Sequence, residues 1–242
     1  APGIMDWVAG SVMSRSANSV IVLCETGKTK LNKLFKRRKR VYVTGHGPYE
    51  NLGNDLTRTK TRQVLGLKSD ETLFLHFGNI RTYKNVSAIL KAFSSCPSRP
   101  WRLLIVGHVF NPLETEQLLR LAKDDYRIQL KLEHVSRVRL EAYLHAADVA
   151  VFAFRDVLSS GSVVEAMSAG LPIVAPAVGC MKDWVDGSCG VLYDPEEPTG
   201  LRDAMEQVTL MHLGELGREA QRQAHKTDWS TVAVETLKAY HG

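Results

Sequence analysis

The sequence predicts an α/β chain built on a doubly wound, Rossmann-like parallel sheet, with a shorter α/β segment ahead of it. Two observations predict this class. Short, largely apolar runs alternate with helical patterns of about 10–15 residues over residues 72–193, an order that requires crossover connections and parallel strands. Run 149–154 is continuously apolar, as suits a strand buried on both faces. In such a sheet ligands bind outside the carboxyl ends of the strands. The loops at 78–84, 134–136 and 159–162 all fall at such ends, and this convergence points to a nucleotide diphosphate.

The 242 residues suffice for one large or two small domains. Hydrophobic residues make up 44% and charged residues 24%, the balance of a soluble globular protein. No apolar run approaches the roughly 20 residues that span a bilayer. The first residues lack the basic and apolar regions of a signal peptide. Cys24, Cys96, Cys180 and Cys189 form no Cys-x-x-Cys pair, which argues against a zinc site or a disulfide scaffold and suits a reducing cytoplasm. Net charge is +5, from 31 basic and 26 acidic residues.

From the start, Ile4, Met5, Val8 and Val12 recur at helical spacing. Residues 19–24 read as a strand, and a helix follows through Leu31, Leu34 and Phe35. Between Lys28 and Arg40 there are eight basic residues and no acidic one. Three readings fit that run: a solvated face, a patch for anionic lipid headgroups, or a nucleic-acid surface. Phe35 is the one aromatic among the charges, too few for a stacking surface, which counts against nucleic acid. Residues 41–43 form a short strand, and residues 50–70 read as a connector.

Strand 72–77 leads into the loop Gly78-Asn79-Ile80-Arg81-Thr82-Tyr83-Lys84-Asn85. A helix follows with Val86, Ile89, Leu90 and Phe93 on one face. Arg81 and Lys84 sit where a diphosphate needs countercharge; taken alone they are surface charges. Strand 101–107 is followed by a helix over 112–123, with Asn111 as N-cap and Pro112 in its first turn. Strand 127–132 precedes Glu133-His134-Val135-Ser136, and Ser136 caps a helix bearing Leu140, Tyr143 and Leu144. Strand 149–154 leads to the polar loop Leu158-Ser159-Ser160-Gly161-Ser162. The helix after it covers about 163–169 and stops at Gly170, with Pro172 beyond. The loop leaves backbone N–H groups at a helix start, where a phosphate can sit. Glu165, a turn into the helix, can accept two hydrogen bonds from vicinal hydroxyls. Strands at 171–175 and 191–193 follow, the latter an edge strand. Helices at 196–212, 215–226 and 231–240 close the chain.

The stretch Gly161-Ser-Val-Val-Glu165-Ala-Met-Ser-Ala-Gly170-Leu-Pro172-Ile-Val-Ala resembles the signature of GT-B glycosyltransferases of the family-four type. The resemblance covers residues 40–240 well and the first 40 weakly. It implies that Glu165 binds the nucleotide ribose, and that Ser159, Ser160, Gly161 and Ser162 meet the sugar diphosphate. A second family glutamate, eight positions earlier, is Val157 here. Loop 78–84 is similar to the family's Gly-Arg-Leu-x-x-x-Lys-Gly element: Gly78 and Lys84 match, Asn79 holds the arginine's place, and Arg81 stands two residues later. On that likeness Lys84 contacts the β-phosphate and Arg81 replaces the usual arginine, so Arg81, Lys84 and Glu165 are the catalytic candidates. His134 and Val135 fall where the family holds the base, although a loop histidine is an ordinary feature.

The resemblance further implies retention of configuration and no metal or other cofactor, and no Asp-x-Asp motif stands in the sequence. Nothing nominates a general base. The loop details favour a GDP-sugar, mannose in particular, over a UDP-sugar. Residues 1–45 would end an N-terminal, acceptor-side domain. Residues 46–242 would form the donor domain, including a C-terminal helix that crosses back. More than a hundred residues of a complete member are absent, so the chain would be a fragment, half of a two-subunit enzyme, or inactive. Expected partners are a nucleotide-sugar and a carbohydrate or lipid-linked acceptor, without nucleic acid, in the cytoplasm and at the inner membrane surface through residues 28–40. The alternative is a non-catalytic module that holds nucleotide-sugar or docks a partner.

Overall fold

The computed structural model describes residues 4–50, 57–96 and 99–241. They fall into two compact units, one running up to Pro48 and resuming at His225, the other Tyr49–Ala224.

In the first unit, helix α1 (Ile4–Ser16) precedes strand β1 (Val20–Val22), helix α2 (Glu25–Phe35) and strand β2 (Val41–Val43). β1 and β2 pair in parallel, Val20 opposite Val41. Met5, Val8 and Val12, which recur at helical spacing, are exposed; the side chain of Ile4 lies outside the described residues. Arg37 donates to the carbonyls of Ser14, Asn18 and Lys39. It thereby holds the end of α1 against the basic loop.

The second unit begins with helix α3 (Arg58–Val64), in the stretch expected to be a connector; residues 51–56 of that stretch lie outside the described residues. The correction has a physical cause. Thr57 caps α3 by accepting from the Lys60 N–H, and the arginines of α3 have a carboxylate to reach. Arg58 and Arg62 both donate to Asp148, which also accepts from the Leu73 N–H at 2.7 Å.

Then follow β3 (Thr72–Phe77), α4 (Val86–Ser94), β4 (Trp101–Val106), α5 (Pro112–Ala122), β5 (Ile128–Lys131), α6 (Arg137–Ala146), β6 (Val149–Val151), α7 (Gly161–Ser168), β7 (Ile173–Pro176), α8 (Met181–Trp184), β8 (Gly190–Tyr193), α9 (Gly200–Thr209) and α10 (Leu213–Ala224). Helix α11 (Trp229–His241) belongs to the first unit. The strands form one parallel sheet in the order β5-β4-β3-β6-β7-β8. The order reverses between β3 and β6, the switch point where such sheets open a crevice.

Asn111 and Ser136 cap α5 and α6 through their side chains, as the sequence predicts. Some boundaries move. β6 ends at Val151, while Phe152, Ala153 and Phe154 stay buried. α9 starts at Gly200 because Pro198 disfavours helical backbone just before it. α7 starts at Gly161, two residues early, with Ser160 as its N-cap residue. Phe74, Phe93 and Trp101 anchor the core, with the Phe74 and Trp101 rings edge to face at 5.1 Å. Cys96 and Cys189 are buried free thiols. Among the described residues no helix is long and apolar enough to cross a membrane.

Candidate active site

The switch point fixes the cleft. The ends of β3 and β4 converge because Gly107 lies at φ 155°, where a Cβ would sit 2.2 Å from the Gly78 carbonyl oxygen. Gly78 N–H donates to Val106, and Ile80 N–H donates to His108 at 2.8 Å. The chain then makes one 3-10 turn, Thr82–Lys84, closed by Asn85 in the left-handed region at φ 52°. That turn sends the Lys84 side chain back beneath Gly78. A Cβ on Gly78 would lie 2.7 Å from Lys84 Nζ and 2.9 Å from Ser162 Oγ. The missing Cβ therefore leaves a small space between an ammonium and a hydroxyl.

Lys84 is 5% exposed. Its ammonium has the Phe77 carbonyl at 3.5 Å, and among the described residues no carboxylate pairs with it. Burial, and then the charge of Arg81, push its pKa down from the usual 10.5 to about 8. Arg81 is exposed at the rim, its guanidinium 5.0 Å above the Phe110 ring. Opposite them, the first turn of α7 brings Gly161 and Ser162 to the cleft; the first N–H groups of a helix lack intrahelical partners and carry positive partial charge.

One turn into α7, Glu165 is buried and accepts from Arg137 Nη1. Arg137 Nε donates to Glu141 at 3.0 Å, and Nη2 reaches the Glu50 carbonyl at 3.4 Å. The guanidinium also lies 5.9 Å from the centroid of the Tyr49 ring. Burial raises the Glu165 pKa; Arg137 opposes this and Glu141 adds to it. Tyr49 is raised first by burial and then by the charge of Glu165. Its N–H donates to Ser168 at 3.0 Å, which ties residue 49 to α7.

The cleft has a volume of about 580 Å³. Gly78, Asn79, Arg81, Lys84, His134, Val135, Ser159, Ser160, Gly161, Ser162 and Glu165 all line it, so every candidate is brought together. Val157 is not among its lining residues. Sequence reasoning missed Tyr49, His108, Arg137 and Leu140, which also line it or touch Glu165. His108 had a signal, since it follows the glycine that ends a predicted strand. Arg137 had none: its partner lies 28 positions away. A cavity of about 690 Å³ between α4 and the turn before α9 has a different character. Its buried ionisable group, Tyr193, already donates to the Phe152 carbonyl at 3.2 Å. Among the described residues no three His, Cys, Asp or Glu side chains cluster as metal ligands would.

Comparison with known proteins supplies a family for this architecture. A D-inositol 3-phosphate glycosyltransferase of Corynebacterium glutamicum is 27% identical over 203 residues, covering 78% of this chain and 48% of the relative. A GDP-mannose:glycolipid 4-beta-D-mannosyltransferase of Xanthomonas campestris pv. campestris is 26% identical over 170 residues, covering 69% of this chain and 47% of that protein. The chain thus spans about half the length of the curated relatives it matches. Among solved structures, Anabaena HepE in complex with UDP and glucose superposes with a TM-score of 0.82 at 20% identity, over 99% of this chain and 68% of HepE; that likeness shows the shared GT-B fold. Residues 71–210 match the family described as Glycosyl transferases group 1, and the chain belongs to that family.

Proposed function

We propose that this chain is the donor-binding half of a GT-B glycosyltransferase that takes a sugar, mannose in our reading, from a GDP-sugar. The observation that carries the proposal is Lys84: a buried ammonium without a carboxylate among the described residues, beside the opening helix turn of α7 and the exposed Arg81. Burying an unpaired charge costs several kcal/mol, and a diphosphate in the space beside Gly78 would repay that cost. Lys84 would hold the β-phosphate as a point charge and Arg81 the outer oxygens. Together with Ser162 they would stabilise the negative charge that develops on the departing diphosphate. Glu165 would fix the ribose, and His134 and Val135 would border the base. The cations supply the charge a metal would otherwise bring, so transfer would need none. Retention of configuration follows from the family resemblance.

The GDP assignment is supported by the name of the Xanthomonas relative, whereas HepE holds UDP. Calorimetric titration with GDP, UDP and ADP in EDTA decides it. Micromolar GDP binding is expected, and binding of none overturns the donor-site reading. Glu165→Ala should weaken binding by about 1–3 kcal/mol; unchanged affinity sinks the ribose role.

Acceptor recognition would fall to a domain to which residues 1–45 contribute, on this polypeptide or a partner subunit. The acceptor would be a carbohydrate or a lipid-linked one. Lys36, Arg38, Lys39 and Arg40 line a shallow hollow of about 520 Å³ that would meet anionic headgroups, placing the protein at the cytoplasmic face of the inner membrane. Co-sedimentation with anionic but not neutral vesicles is the expected result. One observation favours a second reading, a partner-docking module: α1 exposes Met5, Val8, Val12 and Met13. Sugar transfer by the chain alone would exclude it.

A further inference from the structure

We infer that Arg137 is a positioning residue that keeps Glu165 ionised, so that a carboxylate rather than a carboxylic acid meets the ribose hydroxyls. The inference rests on the ribose role proposed above. Two buried carboxylates, Glu165 on α7 and Glu141 on α6, converge on this one guanidinium. Glu141 is 1% exposed and Glu165 is 9% exposed. A buried carboxylate without a cation takes up a proton, and two carboxylates near each other favour that outcome further. Among the described residues, the titratable groups facing Glu165 are Arg137 and Glu141 from α6 and Tyr49 from the segment before α3. Of these, Arg137 is the cation.

The geometry suits an arginine. Nε reaches Glu141 while Nη1 reaches Glu165, and a lysine has no second arm for this. The guanidinium is also set by the Glu50 carbonyl and the Tyr49 ring. The backbone at Arg137 is fixed by the Ser136 cap on the Arg139 N–H. The chemistry follows from hydrogen-bond roles. An ionised carboxylate only accepts, so it can take both vicinal ribose hydroxyls, whereas a protonated one presents a donor and loses an acceptor.

The test compares GDP with 2′,3′-dideoxy-GDP on the wild-type chain, Arg137→Met and Arg137→Lys, at pH 6 and pH 8.5. The wild type should prefer GDP at both values. Arg137→Met should lose about tenfold of that preference at pH 6 and regain most of it at pH 8.5. Its affinity for the dideoxy nucleotide should stay unchanged, which also reports an intact fold. Arg137→Lys, which keeps a cation, should restore much of the preference at pH 6. Equal loss at both pH values, or none, overturns the inference, since a packing role has no pH dependence. A wild type that prefers neither nucleotide overturns the ribose reading and this inference with it; a preference kept by Arg137→Met overturns this inference alone.

Discussion

If Lys84 is buried for an anion, then the empty chain should be more stable without it. Its pKa falls from 10.5 to about 8 on folding, which corresponds to roughly 3 kcal/mol against the folded state. The sign follows from proton counting. Between about pH 8 and 10.5 the unfolded chain holds a proton that the folded chain has released, so stability rises with pH across that window. Below it both states are protonated and the penalty is complete. Lys84→Met keeps the apolar stem and removes the charge. At pH 7 it should stabilise the ligand-free protein by about 3 kcal/mol, read as a higher urea midpoint at unchanged slope. The gap should narrow from pH 8 and vanish by about 10.5. The same variant should bind GDP about 10- to 100-fold more weakly, the range for a charge-assisted hydrogen bond. A variant less stable than wild type at pH 7, or a gap that ignores pH, refutes the reasoning.

Three further outcomes follow from other parts of the larger unit. Gly78→Ala places a methyl 2.7 Å from Lys84 Nζ at φ 97°, so it should weaken GDP binding at least about tenfold by strain and occupancy together; calorimetry that finds wild-type affinity rejects the assigned phosphate position. Asp148→Ala removes the acceptor of Leu73 N–H, Arg58 and Arg62 and should cost about 2–4 kcal/mol in denaturant, whereas a loss under 1 kcal/mol would show these contacts to be dispensable. His76 is fully buried, and burial followed by the charge of Lys84 lowers its pKa to about 3 from 6.5. The unfolded imidazole therefore takes a proton that the folded one refuses, and stability should fall as pH drops from 6.5 toward 3. His76→Phe should flatten that acid limb, and equal slopes in the two proteins would contradict this.

The parts of this molecule legible in the sequence are those set by local pattern. Alternating strands and helices gave the doubly wound sheet, and the caps Asn111 and Ser136 could be read from residue type alone. The loops that form the cleft were legible for a topological reason: each follows a parallel strand, and all such ends lie on one edge of the sheet. What escaped depends on partners distant in sequence. Helix α3 reads as a connector because six of its seven residues are polar. Its helical state is supported by Arg58 and Arg62 reaching Asp148, about 90 residues away. The sequence pattern starts α7 two residues late because glycine reads as a loop residue, yet Gly161 is its first helical position.

The same distinction explains why the charges of the cleft could be found but not apportioned. Sequence spacing nominates Arg81, Lys84 and Glu165 as ionisable groups near one ligand, and it treats them alike. Burial separates them. Arg81 stays in solvent above an aromatic ring, where its charge costs little. Lys84 is carried under Gly78, where its charge is expensive and, among the described residues, has no carboxylate beside it. Glu165 is also buried, but α6 delivers Arg137 to it. The cleft thus has an uncompensated positive end and a compensated negative one. A nucleoside diphosphate has matching halves, with charge concentrated on its phosphates and neutral hydroxyls on its ribose. The asymmetry arises from which helix start each side chain is given, and it requires both carboxyl ends of the switch point, β3 and β6, to meet in one crevice.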